Sequence, residues 1–212
     1  MKIIGINGSP RKQWNTAQMV ESALKGAADA GAETKLYHLR DLDFKGCVSC
    51  FACLRLGAPT HGKCSYPDAL KPVLDEILES DGLIIGSPVY VGDVTAAVRA
   101  LFERLWFGGL AYNPEHMILY PRRIPVKIIF TTNAPQEGFH THLNESVLGA
   151  MDRFIGPTEI IEANDTLQFD DYSKYDASMF DVAAKQKRHK EHFPLDLQRA
   201  YETGKKAVTE AV

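Results

Sequence analysis

The amino-acid sequence predicts an α/β fold, a doubly wound parallel sheet of five strands with helices on both faces, and three observations carry that prediction. Short β-branched runs alternate about five times with stretches whose apolar residues recur every three or four positions. The 212 residues are 45% hydrophobic, enough for a sizeable core. No internal repeat, low-complexity segment or linker interrupts the pattern, so residues 1–212 read as a single domain.

Lys2-Ile3-Ile4-Gly5-Ile6-Asn7 suits a buried strand that stops at Gly8-Ser9-Pro10. Asn15 or Thr16 is then placed to cap a helix that carries Met19, Val20, Ala23, Leu24 and Ala27 and closes near Gly31. Residues 33–39 resemble a second strand. Beyond a cysteine-containing loop, Asp68 is placed to cap a helix with Leu70, Val73, Leu74, Ile77 and Leu78, Pro72 standing in its first turns. Leu83-Ile84-Ile85-Gly86 is a third buried strand, and residues 95–106 form the next helix, with Asp93 expected as its cap. Residues 126–130 and 158–161 are the fourth and fifth strands, on either side of a helix over 143–154. Residues 168–180 turn aromatic and acidic without a period. A last helix is expected over 182–212, with a break at Pro194, so that 168–194 read as an irregular extension.

Lys and Arg total 24 against 27 Asp and Glu, a formal charge of −3 that makes no case for nucleic acid or an anionic membrane as a partner. The N-terminus lacks the cationic lead and apolar stretch of a secretory signal, and no segment stays apolar for the ~20 residues a spanning helix needs. A soluble, cytoplasmic protein is expected.

In sheets of this class ligands bind beyond the carboxyl ends of the strands, where strand order reverses. Three loops fall there: residues 8–15, 87–93 and 131–138. The first, with its flanks Asn7 and Thr16, combines hydroxyls, amides, two cations and a helix N-terminus, a combination suited to a phosphate. An ordinary turn with Arg11 and Lys12 in solvent is the alternative. Gly5 and Gly8 do not continue into G-x-G-x-x-G, and no Gly-Lys-Ser/Thr follows, which argues against a dinucleotide fingerprint and a Walker loop. Gly204-Lys205-Lys206 lacks the rest of a Walker loop as well.

All four cysteines, Cys47, Cys50, Cys53 and Cys64, lie in one stretch. Cys47-x2-Cys50-x2-Cys53 has the spacing of thiolates that wrap an iron-sulfur cluster, with Cys64 available as a fourth ligand. Zinc more often uses two separated pairs. Buried or redox-sensitive thiols are the other reading.

Gly8-Ser9-Pro10-Arg11 with Asn15-Thr16, followed by Gly86-Ser87-Pro88-Val89-Tyr90 with Gly92-Asp93, resembles the two flavin loops of the flavodoxin-like NAD(P)H-dependent FMN reductases and the related iron-sulfur flavoproteins. The resemblance covers residues 1–154, cysteine loop included, and weakens beyond Gln168. It implies a flavodoxin-like sheet, FMN as cofactor and NAD(P)H as electron donor. By that resemblance Ser9, Arg11, Asn15 and Thr16 hold the phosphate, and Pro88, Val89, Tyr90 and Gly92 line the isoalloxazine. Thr132 and Asn133 match the third loop by position. Trp14 stands where the family commonly has a small residue. The cysteines match the compact motif that holds a 4Fe-4S cluster in the iron-sulfur flavoproteins, with a longer interval before Cys64. A homodimer or homotetramer is implied too. No catalytic side chain is nominated, because hydride acceptance is the cofactor's own chemistry.

Several residues have plainer roles open to them. Val89 and Val91 suit a core, Tyr90 a loop shield, and His140 and His142 a surface or capping role. The aromatic run 169–180 suits either a cover for a neighbouring subunit's flavin or a folded-over surface segment. Trp106, Phe107 and Leu110 suit a subunit contact or a buried helix end. Three functions compete: an FMN-dependent enzyme passing electrons to a quinone, flavin, nitro compound or protein; an electron carrier between protein partners using a cluster; and a zinc-stabilised binding domain.

Overall fold

A computed structural model describes residues 1–211, and in it five strands form one parallel sheet in the order β2-β1-β3-β4-β5. The strands are β1 (Lys2–Asn7), β2 (Glu33–His38), β3 (Gly82–Pro88), β4 (Val126–Thr131) and β5 (Thr158–Ala163). The helices are α1 (Asn15–Asp29), α2 (Lys71–Glu79), α3 (Ala96–Gly108), α4 (Thr141–Phe154) and α5 (Val182–Thr209). This is the flavodoxin-like order. The chain leaves β1 for β2 on one side and returns to place β3 on the other, so the first and third strands part at a switch point.

Strand alternation divides the core in two. Ile3, Ile84, Ile129 and Ile161 pack with Met19, Val20 and Ala23 of α1 and Phe193 and Ala200 of α5. Ile4, Ile6, Leu83, Ile85 and Ile128 pack with Val73 and Ile77 of α2, Val98, Leu101 and Phe102 of α3, and Val147 and Met151 of α4. Each Val, Leu, Ile, Phe or Met among them, fully buried, contributes about 1.5–3 kcal/mol. Lys127, buried in β4, is paired with Glu159 at 2.9 Å and Glu210 at 2.6 Å, so no charge is left alone.

Three expected helix caps are corrected. Trp14, not Asn15 or Thr16, occupies the cap position of α1, because both residues already lie within the helix, Asn15 donating to the Leu167 carbonyl and Thr16 meeting Thr131 of β4. Asp68 does not cap α2, which starts at Lys71; its carboxylate accepts from the Leu70 and Lys45 N–H groups and pairs with Arg104. Thr95 caps α3 by accepting from the Val98 N–H, while Asp93 accepts from Val94 and pairs with Arg99.

The last helix is unbroken at Pro194. The missing N–H frees one carbonyl, but α5 is held against α1 so closely that a Cβ on Gly204 would stand 1.8 Å from the Ala23 carbonyl oxygen. Packing over the length of the helix outweighs the local defect. The irregular stretch therefore ends at Asp181 rather than 194, and the expected helix end, Val212, lies outside the described residues.

Candidate functional site

A cleft with ≈ 1030 Å³ of empty space opens at the carboxyl ends of β1, β3, β4 and β5. The chain turns into it at Gly8, where a side chain could not fit: a Cβ would meet Val98 Cγ2 at 2.0 Å and the Gly86 carbonyl oxygen at 2.9 Å. Gly8 N–H donates to that carbonyl at 2.8 Å, and Thr95 Oγ1 donates to the Gly8 carbonyl at 2.9 Å. The turn is thereby pinned between β3 and the start of α3. Asn7 Oδ1 then accepts from Ser9 N–H, and Ser9 Oγ accepts from Arg11 N–H, which fixes the loop leading to α1.

Nine of the ten residues expected to hold the flavin line this cleft: Ser9, Arg11, Asn15, Thr16, Pro88, Val89, Tyr90, Thr132 and Asn133. Gly92 does not. It sits with Val91 in a tight turn closed by hydrogen bonds between Tyr90 and Asp93, with φ +85 at Gly92 and +52 at Val91. Val91 is fully exposed, so its expected core role is overturned, and a β-branched residue in left-handed backbone marks strain at the rim of the cleft. Val89 is half-buried.

The polar end of the cleft carries Ser9, Asn15 and Thr16, all buried, with Thr16 Oγ1 2.7 Å from Thr131 Oγ1. Burial pushes the Arg11 guanidinium below its ordinary value, a shift that the nearby Tyr90, Tyr175 and Asp170 oppose. The other end is aromatic. Phe169 stacks on Tyr175 at 4.0 Å between centroids, and both line the cleft with Leu167 and Gln168.

The 167–175 segment thus folds over its own chain's cleft, not onto a bare surface. Leu167 carbonyl accepts from Trp14 Nε1 at 3.0 Å and from Asn15 Nδ2 at 2.7 Å, and the Gln168 carbonyl accepts from Arg11 Nη1 at 2.7 Å. Arg11 also lies 4.5 Å over the Trp14 ring. Sequence reasoning placed Trp14 and Thr131 within the expected ligand loops without a role, offered the 169–180 run as a cover for a neighbouring subunit's flavin, and missed Thr166, Leu167 and Gln168 as cleft residues. His140 Nε2 is 3.0 Å from Thr132 Oγ1 and so braces the cleft wall, whereas His142 is exposed. Neither ring caps α4.

A second, smaller cleft of ≈ 360 Å³ is lined by Cys47, Cys50, Cys53 and Cys64 together with Tyr66, Arg104 and Phe107. Left-handed backbone at Ser49 (φ 53) and Phe51 (φ 55) winds the loop so that the first three cysteines reach one space. Cys64 joins them because Gly62 N–H donates to the Cys53 carbonyl at 2.9 Å, which folds the ten-residue interval back on itself. Cys64 Sγ accepts from Arg104 Nε at 3.3 Å. Burial, reinforced by the three other cysteines, pushes the Cys53 thiol up.

Among the described residues no three His, Cys, Asp or Glu side chains converge tightly enough to hold a single metal ion. The four thiols nonetheless line one space. Trp106, Phe107 and Leu110 are half-buried: Trp106 stacks on Phe102, and Phe107 meets Phe51 beside this second cleft.

The family model for NADPH-dependent FMN reductase matches residues 1–118. An iron-sulfur flavoprotein of Methanocaldococcus jannaschii is 40% identical over 104 residues, 49% of this chain and 51% of the relative. One of Archaeoglobus fulgidus is 38% identical over 104 residues, 49% and 48% of the two chains. The chain thus matches about half the length of these curated relatives. Among solved structures, an NAD(P)H:quinone oxidoreductase from Methanothermobacter marburgensis superposes with a TM-score of 0.67 at 18% identity, over 97% of this chain and 98% of that one. A Bacillus anthracis azoreductase superposes with a TM-score of 0.64 at 14% identity, over 97% and 99%. At such identities these two establish the fold.

Proposed function

We propose, for a chain that belongs to the NADPH-dependent FMN reductase family, that it binds FMN in the larger cleft and uses NAD(P)H to reduce a quinone, flavin, nitro compound or protein acceptor. The observation that carries the reading is the polarity of the cleft: hydroxyl, amide and guanidinium donors at the loop after β1, apolar and aromatic residues at the loops after β3 and β5. That division fits a ligand with an anionic tail and a flat ring.

Ser9, Arg11, Asn15 and Thr16 would hold the phosphate without a metal, since neutral donors and one cation suffice for a near-dianion. Pro88, Val89 and Tyr90 would border the ring, and Thr132 and Asn133 would face its polar edge. When bound, FMN supplies the redox chemistry, receiving two electrons and a proton as hydride from the nicotinamide, which departs oxidised, before the electrons go on to the acceptor. The residues of the chain position, desolvate and tune. The 167–175 segment excludes water over the cleft, and its carbonyls must share or yield the Arg11, Trp14 and Asn15 donors when a phosphate arrives.

Anaerobic titration with NADH or NADPH tests the reading. Bleaching of the bound flavin is expected; a flavin that stays oxidised under excess of both nucleotides overturns it. Arg11→Ala removes one charge-assisted contact, worth about 1.5–3 kcal/mol when well formed. Because Arg11 is solvent-accessible, the lower end applies, about a tenfold weaker Kd for FMN with little change for riboflavin. Fluorescence quenching of the two ligands measures the difference.

A second reading is favoured by the cysteine cleft: an electron carrier in which Cys47, Cys50, Cys53 and Cys64 hold a 4Fe-4S cluster. Iron and sulfide near four per chain in anaerobically purified protein, with reduction by a ferredoxin but not by NAD(P)H, would select it.

A further inference from the structure

Lys185 is a buried cation in an unfavourable place. It is 4% exposed and stands at the fourth position of α5, where burial and the positive end of the helix dipole both disfavour an ammonium. Helix stability does not explain it. Its Nζ donates to Asp165 Oδ1 at 2.5 Å and to the side-chain oxygen of Asn133, and the Phe180 ring covers it at 5.0 Å.

Those two acceptors belong to different loops of the FMN cleft, after β5 and after β4. The loops are tied to each other by Asp165 N–H to the Ala134 carbonyl at 2.8 Å and Thr166 N–H to the Thr132 carbonyl at 3.1 Å. Lys185 closes the same junction from behind. An ammonium only donates, so it obliges Asn133 to turn its oxygen inward. The amide NH2 then points the other way, 3.4 Å from Gln168 Oε1, and both Asn133 and Gln168 line the cleft. Asp165 is one-third exposed and its charge is screened by solvent, whereas the ammonium has protein on every side.

We propose that Lys185 is a positioning residue that locks Asn133 as an N–H donor to the cofactor and sets a buried positive charge behind it, so that the cleft holds reduced FMN more tightly than oxidised FMN. This rests on the FMN reading above. The arriving hydride adds two electrons and one proton, so the cleft must accept one further negative charge. A fixed N–H donor backed by a cation favours that state over the neutral one.

The test compares wild type, Lys185→Met, Lys185→Arg and Asn133→Ala by two measurements: the Kd of oxidised FMN from fluorescence quenching, and the midpoint potential of bound FMN from an anaerobic redox titration. In Lys185→Met the ratio of affinities, reduced over oxidised, is expected to fall at least tenfold, which is about 30 mV more negative for a two-electron couple. Lys185→Arg is expected to restore part of the shift. Asn133→Ala leaves the Lys185–Asp165 pair intact, so it carries the test if Lys185→Met does not fold, and its potential is expected to move the same way. Equal weakening of both redox forms, or an unchanged ratio, makes Lys185 a purely structural residue and overturns the proposal. Wild-type chain that takes up no FMN overturns the underlying reading instead, so the two failures are told apart.

Discussion

Arg104→Met is expected to destabilise the fold by about 3–5 kcal/mol, the cost of removing one partner from a buried ion pair. Arg104 is 1% exposed, on the face of α3 that meets the cysteine loop. Its Nη1 donates to both oxygens of Asp68, at 2.7 and 2.6 Å, and to the Lys45 carbonyl at 3.2 Å. Nη2 donates to the Tyr66 carbonyl at 3.1 Å, and Nε to Cys64 Sγ. One guanidinium therefore ties residues on both flanks of the loop to a core helix. Burial works against its charge, but Asp68 and Cys64 outweigh burial and hold Arg104 above its ordinary value.

The partner responds in the opposite direction. Burial would raise Asp68, yet Arg104 and the Lys45 N–H outweigh it and keep the carboxyl below its ordinary value. A carboxylate depressed in the folded state contributes stability that is complete above its unfolded pKa and is lost as pH falls through the folded one. Urea midpoints of wild type are thus expected to drop on the acid side below about pH 4, and part of that drop is expected to vanish in Arg104→Met. The double variant Asp68→Leu, Arg104→Met is expected to be more stable than Arg104→Met alone, because no charge remains buried without a partner. Equal urea midpoints for wild type and Arg104→Met at pH 7 would show that the pair anchors nothing.

The sheet was readable because buried parallel strands have a simple signature, apolar runs such as Lys2–Asn7 that end in glycine, serine and proline. The loop after β1 was readable as a cleft loop for a related reason: its hydroxyls and its helix start are contiguous in sequence. What escaped was produced by contacts between distant residues. Trp14 meets Leu167 across 153 positions, and the aromatic composition of 169–180 suggests a cover without showing that it lies on its own chain's cleft. Arg104 reads as one more charge on an amphipathic helix until Asp68 and Cys64 are brought to it. Lys185 reads as a solvent residue in a mixed-charge helix, and only the junction of two loops buries it. The helix break at Pro194 failed for the converse reason: a local rule was right about the hydrogen bond and silent about the helix packed alongside.

Gly8→Ala puts the site itself to the test, and the expected result is loss of FMN binding by a chain that still folds. One methyl group at this position enters space held by Val98, a fully buried residue of α3, and by the backbone oxygen of Gly86. A branched side chain has room to retreat only by moving its helix. A carbonyl in a central strand has less, since it already accepts from the Gly8 N–H. Overpacking of this kind costs about 1–3 kcal/mol, and the cheapest relief is to lift the 8–11 turn off β3. That movement breaks the Gly8 bonds to Gly86 and Thr95 and carries Ser9 and Arg11 out of register with Asn15 and Thr16. Circular dichroism should be near wild type while FMN affinity falls by roughly 100-fold, about 2.7 kcal/mol of lost binding. Adding Val98→Ala removes the closer of the two clashes. The double variant should then be less destabilised than the two single changes summed, a coupling expected only between residues in contact. It should recover only part of the affinity, because the approach to the Gly86 oxygen remains. Strict additivity of the two denaturation energies, or wild-type FMN binding in Gly8→Ala, would mean that the turn does not depend on the missing side chain and that the cofactor is held elsewhere.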